Sequence, residues 1–160
     1  WGERWSKLTT NSSSNPVAAM TGLGSQGVAE DPRARLIQVQ ICKEAAQVGQ
    51  AHNYHIEPVR GVPADVWARA DEGDVFEELD ARFQPSPGGA DLRSSMAQDV
   101  TKRRLTEIEQ MNGHIVMLGR RLGVPTPVNA AIVGAVRRID DGAAGPELAN
   151  VERVLAVAGL

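Results

Sequence analysis

Lys7, Asn11 and Asn15 lie at i, i+4 and i+8, a spacing that a helix turns into one face. At about 100° per residue they drift by only about 80° in total. Asparagine is a mediocre helix former, and an exposed face ordinarily carries Glu, Lys, Gln or Ala. Its amide offers donors and an acceptor together, which suits a small ligand bearing carboxylate, carbonyl and hydroxyl groups. Pro16 follows directly and withdraws the amide that would have bonded the Ser12 carbonyl. The competing account is structural: Lys7 pairs with Glu3 across one turn and the asparagines cap a kink at the proline. Spacing alone leaves both standing.

A second group follows the loop-forming run at 84–89. Ser95-Met96-Ala97-Gln98 fits a capping box with Ser95 at the cap. Ser94 and Ser95 therefore read as N-capping residues at a helix start, where backbone N–H groups and the dipole also favour a carboxylate. Glu107 stands twelve residues further on, with Arg103 one turn before it as an exposed ion-pair partner. Asp99, Lys102, Arg104 and Glu109 read as solvated face. Gly22-Leu23-Gly24-Ser25-Gln26-Gly27 matches G-x-G-x-x-G, but the segment before it is polar and helical. The dinucleotide mechanism needs a preceding strand and a βαβ unit. His52, His55 and His114 do not cluster with each other or with Cys42, so no metal ligand set is expected. Cys42 sits among Leu36, Ile37, Val39 and Ile41 and reads as a buried, inert thiol.

The elements that must position these groups are helical. A helix is predicted from 3 to about 20, kinked or broken near Asn15 by Pro16. Residues 22–27 form a loop. Asp31 as N-cap and Pro32 at the first helical position open a second helix that stops near Gly49. Short helices are predicted over 63–70 and 75–83. The longest and central helix is predicted over 95–122, on an apolar stripe of Val100, Ile108, Met111, Ile115, Leu118 and Leu122. Helices from Pro127 to near Gly142 and from 146 to 157 complete an all-α, mixed-angle domain of six or seven helices.

Composition excludes several classes. The chain has 160 residues, 17 basic and 20 acidic, for a formal charge of −3. That balance gives no electrostatic case for nucleic acid or an anionic membrane. One cysteine permits no internal disulfide and suits a reducing compartment. No run of about 18 apolar residues could span a bilayer, and no signal-peptide pattern opens the chain, so a cytoplasmic location is expected. The chain opens on Trp1 rather than Met and is expected to be part of a longer protein.

The motifs also have a familiar order. Trp5-Ser6-Lys7-Leu8-Thr9-Thr10-Asn11 with Asn15-Pro16 resembles the opening helix of the ketopantoate reductase (2-dehydropantoate 2-reductase) C-terminal domain. Ser94-Ser95-Met96-Ala97-Gln98-Asp99, then Thr106-Glu107-Ile108-Glu109 with Asn112-Gly113, then Gly123-Val124-Pro125-Thr126-Pro127-Val128-Asn129 resemble three further motifs of that family. The order and spacing match from Trp5 to about Asp140.

The resemblance implies a helical fold like the C-terminal domain of 6-phosphogluconate dehydrogenase. It also implies an N-terminal Rossmann domain, absent from this chain, that binds NADPH. The function implied is reduction of a 2-keto acid, by default ketopantoate to pantoate in pantothenate biosynthesis, with the fragment alone inactive. By motif position Lys7 resembles the general acid, Asn11, Asn15 and Ser95 substrate-binding residues, and Glu107 the acidic residue that contacts the cofactor. A regular 95–122 helix would hold Ser95 and Glu107 roughly 18 Å apart, dividing substrate from cofactor contacts. Two departures concern the substrate: Ser25 stands where members often carry Asn, and the stretch 73–89 is longer and more acidic than expected. A paralogue acting on another 2-keto or hydroxy acid, or a non-catalytic helical dimerisation module, are the alternatives. A homodimer is expected from apolar faces on the last two helices (Ile132, Val136, Val151, Leu155).

Overall fold

The computed structural model describes residues 2–160. Among them the chain folds as α1 (Gly2–Thr21), α2 (Ser25–Glu30), α3 (Pro32–Ala51), α4 (Ala64–Ala68), α5 (Val75–Asp80), α6 (Ser95–Thr101), α7 (Asn112–Leu122), α8 (Pro127–Asp140) and α9 (Ala149–Ala158). One isolated antiparallel bridge joins Val59 and Val62, and no strand forms among the described residues. The all-α expectation therefore holds, with more and shorter helices than the periodicity suggested. None of the helices is long and apolar enough to cross a membrane.

The two longest helices, α1 and α3, are each 20 residues and form the centre. Asp31 caps α3 as expected, its carboxylate accepting from the backbone N–H groups of Arg33 and Ala34. Trp5 on α1 lies across α3, and its indole Nε1 donates to the Ala45 carbonyl at 2.9 Å. A side chain at Gly49 would place its Cβ 2.4 Å from that nitrogen, so glycine permits the approach. Hydroxyls lie along the buried side of α1, and Thr9 and Thr21 donate back to the carbonyls of Trp5 and Val17. These small side chains let neighbouring helices close in, with the Ser12 hydroxyl left without a partner among the described residues.

Apolar burial is divided three ways. The largest cluster joins α1, α3, α6, α8 and α9 through residues such as Met20, Ile37, Met96, Ile132 and Val151. A second lies under α4 and α5 around Trp67, Leu79 and Phe83. The third gathers Trp5, Ala45, Val48, Ile115 and Leu118.

Four expectations are corrected. First, α1 runs through Pro16 without interruption, because the Ser12 carbonyl finds a substitute donor in the Asn112 side chain at 3.1 Å. Second, the loop expected over 22–27 is confined to 22–24; Ser25, Gln26 and Gly27 belong to α2, and α1 rather than a strand precedes them. Third, the single helix over 95–122 is two helices. Between Val100 and Ile108 the stripe offers only Leu105, which is 80% exposed, and nothing apolar holds a helix face there. Arg103 turns with φ of 53°, and the Thr106 hydroxyl anchors the connection on Asp140 at 2.7 Å. Fourth, of the four residues expected on an external apolar face, Ile132, Val136 and Val151 are fully buried inside the domain, and Leu155 is partly buried against the same cluster.

Candidate functional site

α1 presents Lys7 and Asn11 to solvent, with Asn15 half-buried further along the same face. No ion pair joins Lys7 to Glu3, and neither asparagine side chain makes a hydrogen bond among the described residues. Neither structural contact expected of this face forms: Glu3 does not pair with Lys7, and the Ser12 carbonyl left by Pro16 is served by Asn112, not by Asn11 or Asn15. The free amide of Asn15 is the most informative of these, because a half-buried amide ordinarily finds a partner in the protein.

The start of α6 is fastened to this face. The N-cap is Ser94 rather than Ser95: its hydroxyl accepts from the Ala97 amide at 3.2 Å and donates to the Asn15 carbonyl at 3.3 Å. One hydroxyl thus caps α6 and ties it to α1. Ser95 is the first residue of the helix, exposed, with its own hydroxyl free of protein partners. Asn15 and Ser95 are therefore brought together: the Asn15 carbonyl is half of the contact that joins the helices, and Ser95 follows its other half, Ser94.

Glu107 lies in the connection between α6 and α7, exposed, and no ion pair with Arg103 forms. No hydrogen bond links it to Lys7, Asn11, Asn15 or Ser95, although its neighbour Ile108 is buried in the cluster that α1 also enters. The 18 Å division expected from one continuous helix loses its premise with that helix. Ser25 is committed to structure. Its hydroxyl accepts from the Leu92 amide at 2.9 Å and donates to the Ala90 carbonyl at 3.3 Å, holding the 90–92 stretch against α2.

The other early readings resolve simply. Cys42 is fully buried, and burial pushes its thiol up to about 12, so it is no nucleophile. The His114 ring stands edge-on to Trp5 at 6.1 Å, a packing role. Glu109, read as solvated face, pairs with Arg137.

Two polar features were missed. Glu44, 3% exposed, accepts from the backbone amides of Val128 (2.8 Å) and Asn129 (2.9 Å) and from Asn129 Nδ2 (2.6 Å), serving the N-terminus of α8. Gln38 and Arg60 meet at a cavity beside Ser14. The available signal was a set of polar residues, Gln38 and Glu44, interrupting the apolar face of α3. Nothing local marks Arg60, which comes into place only through the tertiary fold.

The comparisons fit this arrangement. The 2-dehydropantoate 2-reductase of Aquifex aeolicus is 35% identical over 132 residues, which cover 82% of this chain and 38% of that protein. A PanE/ApbA family ketopantoate reductase from Ralstonia eutropha JMP134 superposes with a TM-score of 0.64 at 26% identity, over 86% of this chain and 40% of that one. A D-mandelate dehydrogenase with NADH and anilino(oxo)acetate superposes at 0.66 and 24% identity, over 86% and 40% of the two chains, a likeness of fold. The chain spans about two fifths of the length of the curated relatives it matches. Residues 1–140 match the family described as "Ketopantoate reductase PanE/ApbA C terminal", and the chain belongs to that family of helical C-terminal domains.

Proposed function

We propose that this chain is the substrate-binding domain of a cytoplasmic, NADPH-dependent 2-keto acid reductase, with ketopantoate to pantoate in pantothenate biosynthesis as the default reaction. The observation that carries the reading is the α1 face: Lys7, Asn11 and Asn15 keep side chains free of protein partners beside the start of α6. The family match and the relatives' names support it.

The dinucleotide is assigned to an upstream Rossmann domain, because 22–27 here leads from one helix into another. The donor set on the α1 face fits the edge of a shared cleft: one ammonium, amide donors and the α6 N-terminus, with Glu107 available to a cofactor hydroxyl. The reduced nicotinamide, when bound, supplies the hydride. Lys7 then does the proton work of this chain. A lysine ammonium is charged at neutral pH without assistance. It donates to the ketone oxygen and gives up a proton as that oxygen becomes a far more basic alkoxide. Asn11, Asn15 and Ser95 hold the carboxylate and hydroxyl of the substrate. The full-length protein is proposed to be a homodimer.

The test is steady-state reduction of ketopantoate by the full-length protein. Lys7→Ala is expected to lower turnover by roughly two to four orders of magnitude, with the fold intact by circular dichroism. Near-normal turnover in that variant would remove Lys7 from the chemistry.

A further inference from the structure

Beside the α1 face lies a cavity of about 280 Å³ whose lining contains two arginines, Arg60 and Arg82, and no acidic residue. In a chain of net charge −3 that is a local excess of positive charge; Asp91, between the lining residues Ala90 and Leu92, spends its carboxylate on the Gln26 backbone amide at 2.8 Å. Ser14 and Ser94 line it, each the immediate neighbour of a proposed substrate residue, Asn15 or Ser95. The cavity therefore opens beside that site.

Arg60, exposed to solvent, forms part of its lining. Nη2 donates to Ser14 Oγ at 2.9 Å, Nη1 donates to the Arg82 carbonyl at 3.3 Å, and the guanidinium carbon lies 4.2 Å from the centroid of the Phe83 ring. These contacts hold the fork in place and use two of its five N–H groups. Arg60 reaches this position with φ of 51°, a backbone region that non-glycine residues seldom occupy. No carboxylate pairs with it among the described residues. Partial desolvation draws its pKa below the usual arginine range, yet a guanidinium stays charged. The Cys42 thiol, whose field reaches Arg60, is pushed up to about 12 by burial and carries no compensating charge at neutral pH.

Gln38 gives a second, independent sign of a ligand. It lines the same cavity from α3, is only 5% exposed, and its side-chain amide makes no hydrogen bond among the described residues. Its amide is not sealed away from solvent but opens onto the cavity, where a bound acid can meet it. The outer wall is preformed: Gln26 Nε2 donates to the carbonyls of Ser86 at 2.8 Å and Gly89 at 3.0 Å, pinning that stretch in place. Phe83, Gln84 and Ser86 in this wall come from the acidic, extended stretch that set this sequence apart, but its acids face elsewhere: Asp80 is taken by Arg35.

We propose that this cavity is a carboxylate-binding subsite beside the Lys7–Asn15 face, and that the enzyme takes 2-keto acids carrying a second, distal carboxylate in preference to the default ketopantoate, which has only one. A planar carboxylate matches the N–H groups the arginine fork leaves free, and Gln38, which also lines the cavity, offers it an amide donor. The substrate assignment rests on the proposed reductase function; the acid-binding subsite does not.

The test separates the two. Glutarate and pentanoate, which cannot be reduced, are titrated into the full-length protein by calorimetry. Glutarate is expected to bind at least about tenfold more tightly. Arg60→Gln is expected to abolish that preference and leave pentanoate unchanged, as loss of charge-assisted bonds predicts. Arg60→Lys, which keeps the charge but not the fork, is expected to retain part of it. Equal binding of the two acids by the unmodified protein, or equal weakening of both by Arg60→Gln, would overturn the subsite. Reduction is read separately with 2-oxoglutarate and 2-oxopentanoate. Glutarate preference with no keto acid reduced leaves the subsite standing and defeats the reductase reading. Ketopantoate reduction without glutarate preference does the reverse.

Discussion

Pro16 and Asn112 meet at a carbonyl that belongs to neither. Pro16 has no N–H to give the Ser12 carbonyl one turn back, and Asn112 Nδ2 donates to it across the α1–α7 interface at 3.1 Å. The same Nδ2 donates to Asn129 Oδ1 at 3.0 Å, and Asn129 in turn donates to Glu44 at 2.6 Å. A buried polar line thus runs from α1 through α7 and α8 to α3. It joins all four helices behind the Lys7–Asn15 face, and a vacancy in one helix is filled by a side chain of another.

That relationship predicts a rescue. Asn112→Ala strands the Ser12 carbonyl and Asn129 Oδ1 and should destabilise the chain by about 2–4 kcal/mol. Pro16→Ala restores a backbone donor to Ser12. In a double-mutant cycle by urea unfolding, Pro16→Ala should recover at least about 1 kcal/mol more in the Asn112→Ala background than in the parent. Strict additivity would show that the two residues do not share the carbonyl.

Glu44 predicts an unusual pH signature. Burial holds its carboxyl above the ordinary 4.5, against the hydrogen bonds from Asn129 and Val128 that favour the charge. In the unfolded chain the group returns to its ordinary value. Between the two values the folded protein holds a proton that the unfolded one does not, so stability from this group is greatest below about 4.5 and declines as pH rises through the folded value. Glu44→Gln abolishes that titration. The advantage of the parent over this variant should therefore shrink as pH rises from 4 to 8 in urea unfolding. A widening advantage would mean that the hydrogen bonds outweigh burial. Glu44→Ala, which leaves the amides of Val128 and Asn129 bare, should be the more damaging change, by about 2–4 kcal/mol.

The sequence was legible where local chemistry dictates structure. Asp31-Pro32 marked the start of α3, and the 7-11-15 spacing marked one helix face; both need only neighbours along the chain. It was less legible where a distant group decides. Pro16 reads as a break until Asn112 is known to sit opposite. The stripe from Val100 to Leu122 reads as one helix because its apolar residues are spaced correctly on both sides of a seven-residue gap. Ser95 reads as the cap because it opens a capping box, whereas the hydroxyl that caps is Ser94, the one that also reaches Asn15. Arg60 could not be singled out at all: its partners are Ser14, Arg82 and Phe83, all more than twenty residues away along the chain.

The last prediction concerns how the proposed site residues divide their work in the full-length enzyme. Asn15 is half-buried, with its carbonyl held by Ser94 and its amide free, so its position is fixed while its donor remains available. Such a group binds ground state and transition state alike. Asn15→Ala should therefore raise KM for the keto acid by about tenfold, near the value of one neutral hydrogen bond, with little loss of kcat. Asn11→Ala should act in the same direction. Ser95 stands beside Asn15 at the α6 N-terminus and belongs with the substrate. Glu107 stands in a different segment, linked to none of them, so Glu107→Ala should weaken NADPH binding more than Ser95→Ala does. Lys7 differs from all four because its charge contributes most as the ketone oxygen becomes an alkoxide, which lowers kcat when removed. Separate titrations of keto acid and cofactor across the five alanine variants would read this pattern. A fall in kcat for Asn15→Ala as large as that for Lys7→Ala would show that the face works as one catalytic unit, and the division between binding and proton transfer would be wrong.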